Sequence, residues 1–272
     1  MNLRNRICTV LMVRNEEYWI YYTIKPLIDA GLEIYIADMG SEDETVEIIK
    51  SFHSPLINFY DLSFLKSDEK IREILAHESK QPWYLQIDCD EIMFPEGIQS
   101  ILDSDIDDFV GGFIVAQNIV WRDRKLQLAN KASHRRLHRR GTCWFNPHGV
   151  EDVHTSKQKP WTYLHGPQTS RNWPTRKPGE NERLKLMGIP HQLHLRFLRR
   201  SSADTISEVR KKKFGIYNIP EGGPAINIFE MFGPPPFYNP YWEYFQNPSD
   251  ELLAKLDLRY WEGADNAYKN LG

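Results

Sequence analysis

The run from Ile7 to Val13 is continuously apolar and rich in β-branched and large side chains, the pattern of a strand buried on both faces of a parallel sheet. It stops at Arg14-Asn15-Glu16-Glu17. The segment to Ala30 then sets Ile20, Ile24, Leu27 and Ile28 at helical spacing, with acidic residues in its first turn and Gly31 at its C-terminal cap. Pro26 opposes the last turn of that helix. Leu32 to Ala37 reads as a second strand, and Ser41-Glu42-Asp43-Glu44 as a capping box opening a helix to about Phe52. Ile57 to Leu62 supplies a third strand, Asp68 to Glu78 a third helix with Ile71, Ile74 and Leu75 on one face, and Trp83 to Ile87 a fourth strand. Short connections predict right-handed crossovers and a mostly parallel sheet. Up to about residue 95 the chain therefore reads as a doubly wound α/β unit, whose ligands bind at the carboxyl ends of strands. Polar residues cluster at those ends: Arg14 to Glu17 after the first strand, Asp38 after the second, Asp88-Cys89-Asp90-Glu91 after the fourth.

Beyond residue 105 the helical rhythm fades. Shorter strands are predicted over Phe109 to Ala116 and Arg135 to His138, and histidine becomes frequent, at 134, 138, 148, 154, 165, 191 and 194. After Tyr217 comes a stretch rich in Pro, Gly and aromatics (GPPPFYNPYWEYF), too aromatic for a disordered linker and too proline-rich for regular structure. It reads as an arm that packs either on the body or on a second subunit, the latter making a homo-oligomer. The organisation expected is a ligand-binding half over 1–105, a smaller mixed α+β half of the same domain over 106–215, and a C-terminal arm and helix over 216–272.

Composition narrows the function classes. A chain of 272 residues with 41% hydrophobic and 26% charged positions is an ordinary globular sequence and not a disordered one. Thirty-four basic against 37 acidic side chains leave a formal charge of -3, so no global field holds a nucleic-acid backbone or an anionic membrane. The basic runs His134 to Arg140 and Arg210 to Lys213 do not change this: the first alternates faces if it is a strand, and no continuous stripe results. Cys8, Cys89 and Cys143 are far apart and form no C-x-x-C, which argues against disulfides and structural zinc and for a cytoplasmic setting. No apolar stretch approaches the roughly 20 residues of a membrane helix, and the basic start is followed by only about seven apolar residues before Arg14 and two glutamates, which argues against a secretory signal. P-loop, G-x-G-x-x-G and G-x-S-x-G patterns are absent, against nucleotide hydrolysis, nicotinamide redox chemistry and serine hydrolysis.

Asp88 and Asp90 flank one residue directly after an apolar strand. In extended geometry both point to one side with Cα atoms roughly 6 to 7 Å apart, placed to address one cation and its ligand. Magnesium or manganese suits such a site, since each takes one or two carboxylates and fills its shell with water and phosphate oxygens. A polar turn after a strand has the same local appearance.

Three segments together, CTVLMVRNEE, IYIADMGSEDETVEII and WYLQIDCDE, resemble the family 2 glycosyltransferases of the GT-A fold. Those enzymes show a strand ending in N-E-E, a strand ending in D-x-G-S-x-D-x-T and a strand ending in D-x-D. Order and spacing agree over about 90 residues. The resemblance implies a metal-dependent, inverting glycosyltransferase that moves a sugar from a nucleoside-diphosphate donor of UDP, dTDP or GDP type to a glycan or other hydroxyl acceptor. It implies further that Asp38 contacts the base, Asp88 the ribose and Asp90 a Mn2+ or Mg2+ ion, with Arg14, Asn15 and Glu17 lining the nucleotide pocket. Arg72 stands near the family's arginine before the D-x-D strand with one residue of extra spacing; a solvated helix charge is its other reading.

Related transferases carry an acidic base about 60 residues after the metal motif, which points to Glu151 or Asp152 in NPHGVEDVH; the order here is His-Gly-Val-Glu-Asp instead of the family's V-H-E. A C-terminal histidine on the metal is also implied: His194 in PHQLHLRFLRRS, with His191 and His165 as alternatives. Arg196, Arg199 and Arg200 suit a diphosphate or an exposed helix face equally. Three rivals remain at this level: a non-catalytic nucleotide-sugar binding protein on the same fold, a nucleotidyltransferase, for which the first strand end lacks glycine, and an interaction protein built on the aromatic arm.

Overall fold

The structure, a computed structural model, describes residues 3–65, 68–105, 111–122, 125–140, 143–146, 149–152, 184–195, 198, 200–203, 222–237 and 239–251. In its first part β1 (Ile7–Val13), α1 (Ile20–Asp29), β2 (Glu33–Asp38), α2 (Thr45–Ser51), β3 (Ile57–Asp61), α3 (Asp68–Glu78) and β4 (Trp83–Asp88) alternate. Strands β3, β2, β1 and β4 lie side by side and parallel, with Leu11 between Ile36 and Ile87. Their burial on both faces follows from helices on both sides. Ile7, Leu11, Trp83 and Leu85 pack with Ile20, Ile24 and Leu27 of α1, while Cys8, Val10 and Tyr84 pack with Ile71 and Leu75 of α3.

Local details refine the reading. Helix α1 continues through Pro26, which forfeits only its own N–H bond while its carbonyl accepts from Ala30 at 3.1 Å. It closes on Gly31 at φ 74°, whose N–H reaches Ile28 O at 2.8 Å while Leu32 N–H reaches Leu27 O at 3.0 Å, the paired bonds of a Schellman cap. Glu16 and Glu17 precede the helix instead of forming its first turn, and the Glu16 carbonyl accepts from Trp19 and Ile20. The expected capping box does not form either. Helix α2 starts at Thr45 with Asp43 accepting its N–H at 3.0 Å, and the Ser41 hydroxyl is given to Asp38 instead.

Beyond β4 come β5 (Glu91–Met93), α4 (Pro95–Leu102), β6 (Gly111–Arg122) and β7 (Lys125–Arg139), then β8 (Cys143–Asn146), β9 (Gly149–Asp152) and β10 (Leu184–His194). The described residues add β11 (Ala225–Ile226) and two short helices, α5 (Ile228–Phe232) and α6 (Pro240–Gln246). Of the two short strands predicted here, Gly111 to Ala116 and Arg135 to His138 are pieces of the long β6–β7 hairpin, and residues 109 and 110 lie outside the described residues. Strand β7 pairs antiparallel with β4, Leu85 opposite Leu137, so the sheet continues β4-β7-β6-β10-β5 and becomes mixed. Antiparallel pairing of β10 with β5 sets His194 opposite Glu91, and Leu195 N–H donates to Asp90 O at 2.7 Å. That pairing carries the end of β10 to the carboxyl end of β4.

The Pro-rich segment packs on the body. Tyr241 stacks on Trp19 with ring centroids 5.4 Å apart and meets Tyr18 edge-on at 5.0 Å, while Phe229 meets Tyr22 at 5.8 Å. Asn239 caps α6 by accepting from Tyr241 and Trp242 N–H, with Pro240 at the first helical position, where its missing N–H costs nothing. Among the described residues no helix is long and apolar enough to cross a membrane.

Candidate functional site

The loops that leave β1 and β2 are stitched together at the carboxyl edge of the sheet. Asn15, in the left-handed region at φ 54°, donates its N–H to Ser41 Oγ at 3.0 Å, and its Oδ1 accepts from Glu42 N–H at 2.8 Å. Glu16 N–H reaches Thr45 Oγ1 at 2.8 Å, and Glu17 N–H reaches Asp43 Oδ2 at 3.3 Å. Asp38 is buried at the end of β2, where its carboxylate accepts from Gly40 N–H at 2.9 Å and from the Ser41 hydroxyl at 2.5 Å. Glu17 turns toward the chain's later residues as well: its carboxylate accepts from Ser202 N–H at 2.6 Å and from Glu44 N–H at 3.4 Å. Arg14 is exposed beside this loop.

Asp88, at the end of β4, stands in a row of alternating charge. Arg136 Nη2 lies 2.6 Å from Asp88 Oδ2 and 2.5 Å from Glu91 Oε1, while Arg72 Nη2 from α3 lies 3.4 Å from Asp88 Oδ1. Glu91 also accepts the Asp88 N–H at 3.0 Å. Burial works against the Asp88 carboxylate, but the two guanidinium groups outweigh it and hold its pKa well below the usual range. Glu91 is fully buried, and desolvation raises its pKa to about 7 despite Arg136, with the charges of Asp88 and Asp90 adding to the rise.

Asp90 turns the other way. Its Oδ2 lies 3.7 Å from His194 Nε2 and 3.5 Å from Arg200 Nη1, which also reaches Glu16 Oε1 at 2.7 Å. His194 in turn meets His134 edge-on at 5.4 Å. A carboxylate and an imidazole converging on one volume fit a divalent cation that completes its shell with water and phosphate oxygens. Among the described residues no three His, Cys, Asp or Glu side chains converge as a cage. Asp88 is paired with its arginines, while Asp90, 3.5 Å from Arg200, is the carboxylate that stands beside His194. Between the two aspartates Cys89 is buried, its thiol 2.9 Å from Met12 O, and desolvation keeps it protonated.

The structure thus brings Asp88, Asp90, Arg72 and His194 together, with Asn15, Glu17 and Asp38 in the neighbouring loops. His191, by contrast, is buried where Gly97 of α4 packs against its backbone. Glu151 and Asp152 stand on β9, opposite Trp144 and Cys143, in a hairpin whose β8 lies against α3. His165, Arg196, Arg199 and the run Arg210 to Lys213 lie outside the described residues. Sequence reasoning singled out neither Arg136 nor Glu91 as a site residue. Glu91 did leave a signal: it directly precedes the apolar run Ile92-Met93-Phe94, so burying that run carries its carboxylate into the core at a desolvation cost that needs a partner.

The family model described as Glycosyl transferase family 2 matches residues 8–183, well over half of the chain. No curated protein matches. The chain is similar to solved structures at low identity: TarS 1-349 of S. aureus in complex with UDP-GlcNAc (12% identical, 78% of this chain and 65% of that one, TM-score 0.41). The same TarS fragment alone gives 13%, 70% and 60%, with TM-score 0.41. The mannosyltransferase PcManGT from Pyrobaculum calidifontis, in complex with GDP-Man and Mn2+, is 14% identical over 44% of this chain and 36% of that one, TM-score 0.34. The chain spans less than two thirds of the length of each of these three.

Proposed function

The chain belongs to glycosyl transferase family 2, and from that premise we propose that it transfers a sugar from a nucleoside-diphosphate donor to an acceptor hydroxyl with inversion at the anomeric carbon. The observation that carries this reading is the division of labour between Asp88 and Asp90. One carboxylate is pinned by two arginines, and the other is turned to His194 and Arg200.

In this reading Asp88 receives the ribose hydroxyls. Because Arg72 and Arg136 hold its pKa low, it accepts hydrogen bonds as a carboxylate at any working pH. Asp38, fixed by Gly40 and Ser41, stands at the next strand end for the base. Asp90 and His194 would hold Mn2+ or Mg2+, which supplies charge stabilisation to the departing diphosphate. Arg200 is a guanidinium within reach of the same oxygens, able to form charge-assisted bonds as negative charge builds on them. Glu151 or Asp152 takes the proton from the acceptor hydroxyl on the face opposite the leaving group.

Thermal-shift screening of UDP-, GDP-, dTDP- and CMP-sugars with manganese tests the proposal. One nucleotide class should raise the melting midpoint, and a flat response to all four would overturn the reading.

A further inference from the structure

Arg136 lies in a basic run whose charges the strand reading splits between two faces, and its side chain is on the inner one: it is 10% exposed and its guanidinium joins two carboxylates. One is Asp88. The other, Glu91, meets no solvent and also accepts the Asp88 N–H, so both the side chain and the backbone of Asp88 are held by this pair. A buried Arg–Glu pair is a poor source of stability, because desolvating two ions costs about what their attraction returns; apolar residues of similar volume commonly serve as well. Its geometry is specific nonetheless. One guanidinium nitrogen lies 2.6 Å from Asp88 Oδ2, while Arg72 on the far side makes only a 3.4 Å approach to Oδ1 from a more exposed position.

Resting on the donor reading above, we propose that Arg136, backed by Glu91, is a positioning residue for donor binding: it sets the Asp88 carboxylate in the orientation that receives the ribose hydroxyls. Arg136 acts through Asp88, and Glu91 keeps the guanidinium from swinging away. The arrangement divides the roles of the two aspartates, since Asp88 presents its oxygens to hydroxyl groups only while Arg136 occupies one side of it.

The test separates positioning from stability. Replacing both partners, Glu91→Met with Arg136→Met, removes the buried pair but leaves Asp88 to Arg72 alone, so the protein should stay folded with a melting midpoint lowered by several degrees, and binding is measured well below that midpoint. Isothermal titration with the nucleoside diphosphate and manganese should nevertheless show Kd raised about tenfold or more, the scale of one charge-assisted hydrogen bond. In turnover the loss should fall on donor KM, with kcat changed by less than about threefold. Arg136→Lys, which keeps one charged nitrogen to share between the two carboxylates but on a shorter stem, should show a smaller rise in Kd with the fold intact. Wild-type affinity in either variant overturns the inference. Failure of the wild-type protein to bind any nucleoside diphosphate would instead overturn the donor reading beneath it.

Discussion

Tyr241 ties the C-terminal segment to the part of the chain that carries the first strand-end loop, and truncating it is a quantitative test of that attachment. The ring is 1% exposed, stacked on Trp19 at an interplanar angle of 17° and set edge-on to Tyr18 at 88°. Truncation of a buried aromatic to alanine costs about 3–5 kcal/mol, and each of the two ring pairs accounts for about 0.5–1.5 kcal/mol of that. For a chain of this size 1 kcal/mol moves the midpoint by roughly 2–4 °C, so Tyr241→Ala should lower Tm by about 10 °C. Tyr241→Phe keeps both ring contacts and should lose less than about 1 kcal/mol. Urea denaturation followed by circular dichroism provides the free energies. A Tyr241→Ala loss below about 1 kcal/mol would refute the packing of this segment on Tyr18 and Trp19, because truncating a buried aromatic costs several times that.

Two further outcomes follow from the buried groups around the site. Glu91 is ordinary in the unfolded chain and raised to about 7 when folded, so between about pH 4.5 and 7 the unfolded state releases a proton that the folded state keeps. Stability should therefore fall as pH rises through that window and level off above it; Glu91→Gln should flatten that fall when denaturation is compared at pH 5 and pH 8. Gly97→Ala should destabilise by about 1–3 kcal/mol, although alanine is the better helix former, because a Cβ there would lie 2.5 Å from the His191 carbonyl oxygen and 2.6 Å from its Cα. Equal or greater stability of that variant in urea would contradict the close packing of α4 on β10.

The first four strands and three helices were legible because each is announced by local signals: a continuous apolar run, an abrupt polar stop, a glycine cap. Ile7–Val13 and Asp68–Glu78 are observed with the bounds that the pattern predicts. The three polar strand ends converge for the same reason, since parallel strands carry their C-terminal residues to one edge. Arg136 was not legible. In His134-Arg135-Arg136-Leu137-His138 nothing local says which arginine turns inward; that depends on β7 pairing with β4 and on the register shift between Gly112 and Phe113. His194 came from resemblance, and its place beside Asp90 rests on the pairing of β10 with β5, strands about 100 residues apart. The Ser41 to Glu44 capping box failed for a related reason: Ser41 Oγ accepts from the Asn15 N–H of the first strand-end loop, 26 residues away, and gives its hydroxyl to neighbouring Asp38.

The central claim is that Asp90, with His194, serves the diphosphate end of a nucleotide-sugar donor. Its most direct test is manganese-dependent release of nucleoside diphosphate from the donor class found by thermal shift, measured for wild type and for Asp90→Asn. Wild-type protein should release the diphosphate with manganese and lose that activity with chelator, while Asp90→Asn should fall by about a hundredfold or more with its melting midpoint preserved. Release at the wild-type rate by Asp90→Asn would contradict the account.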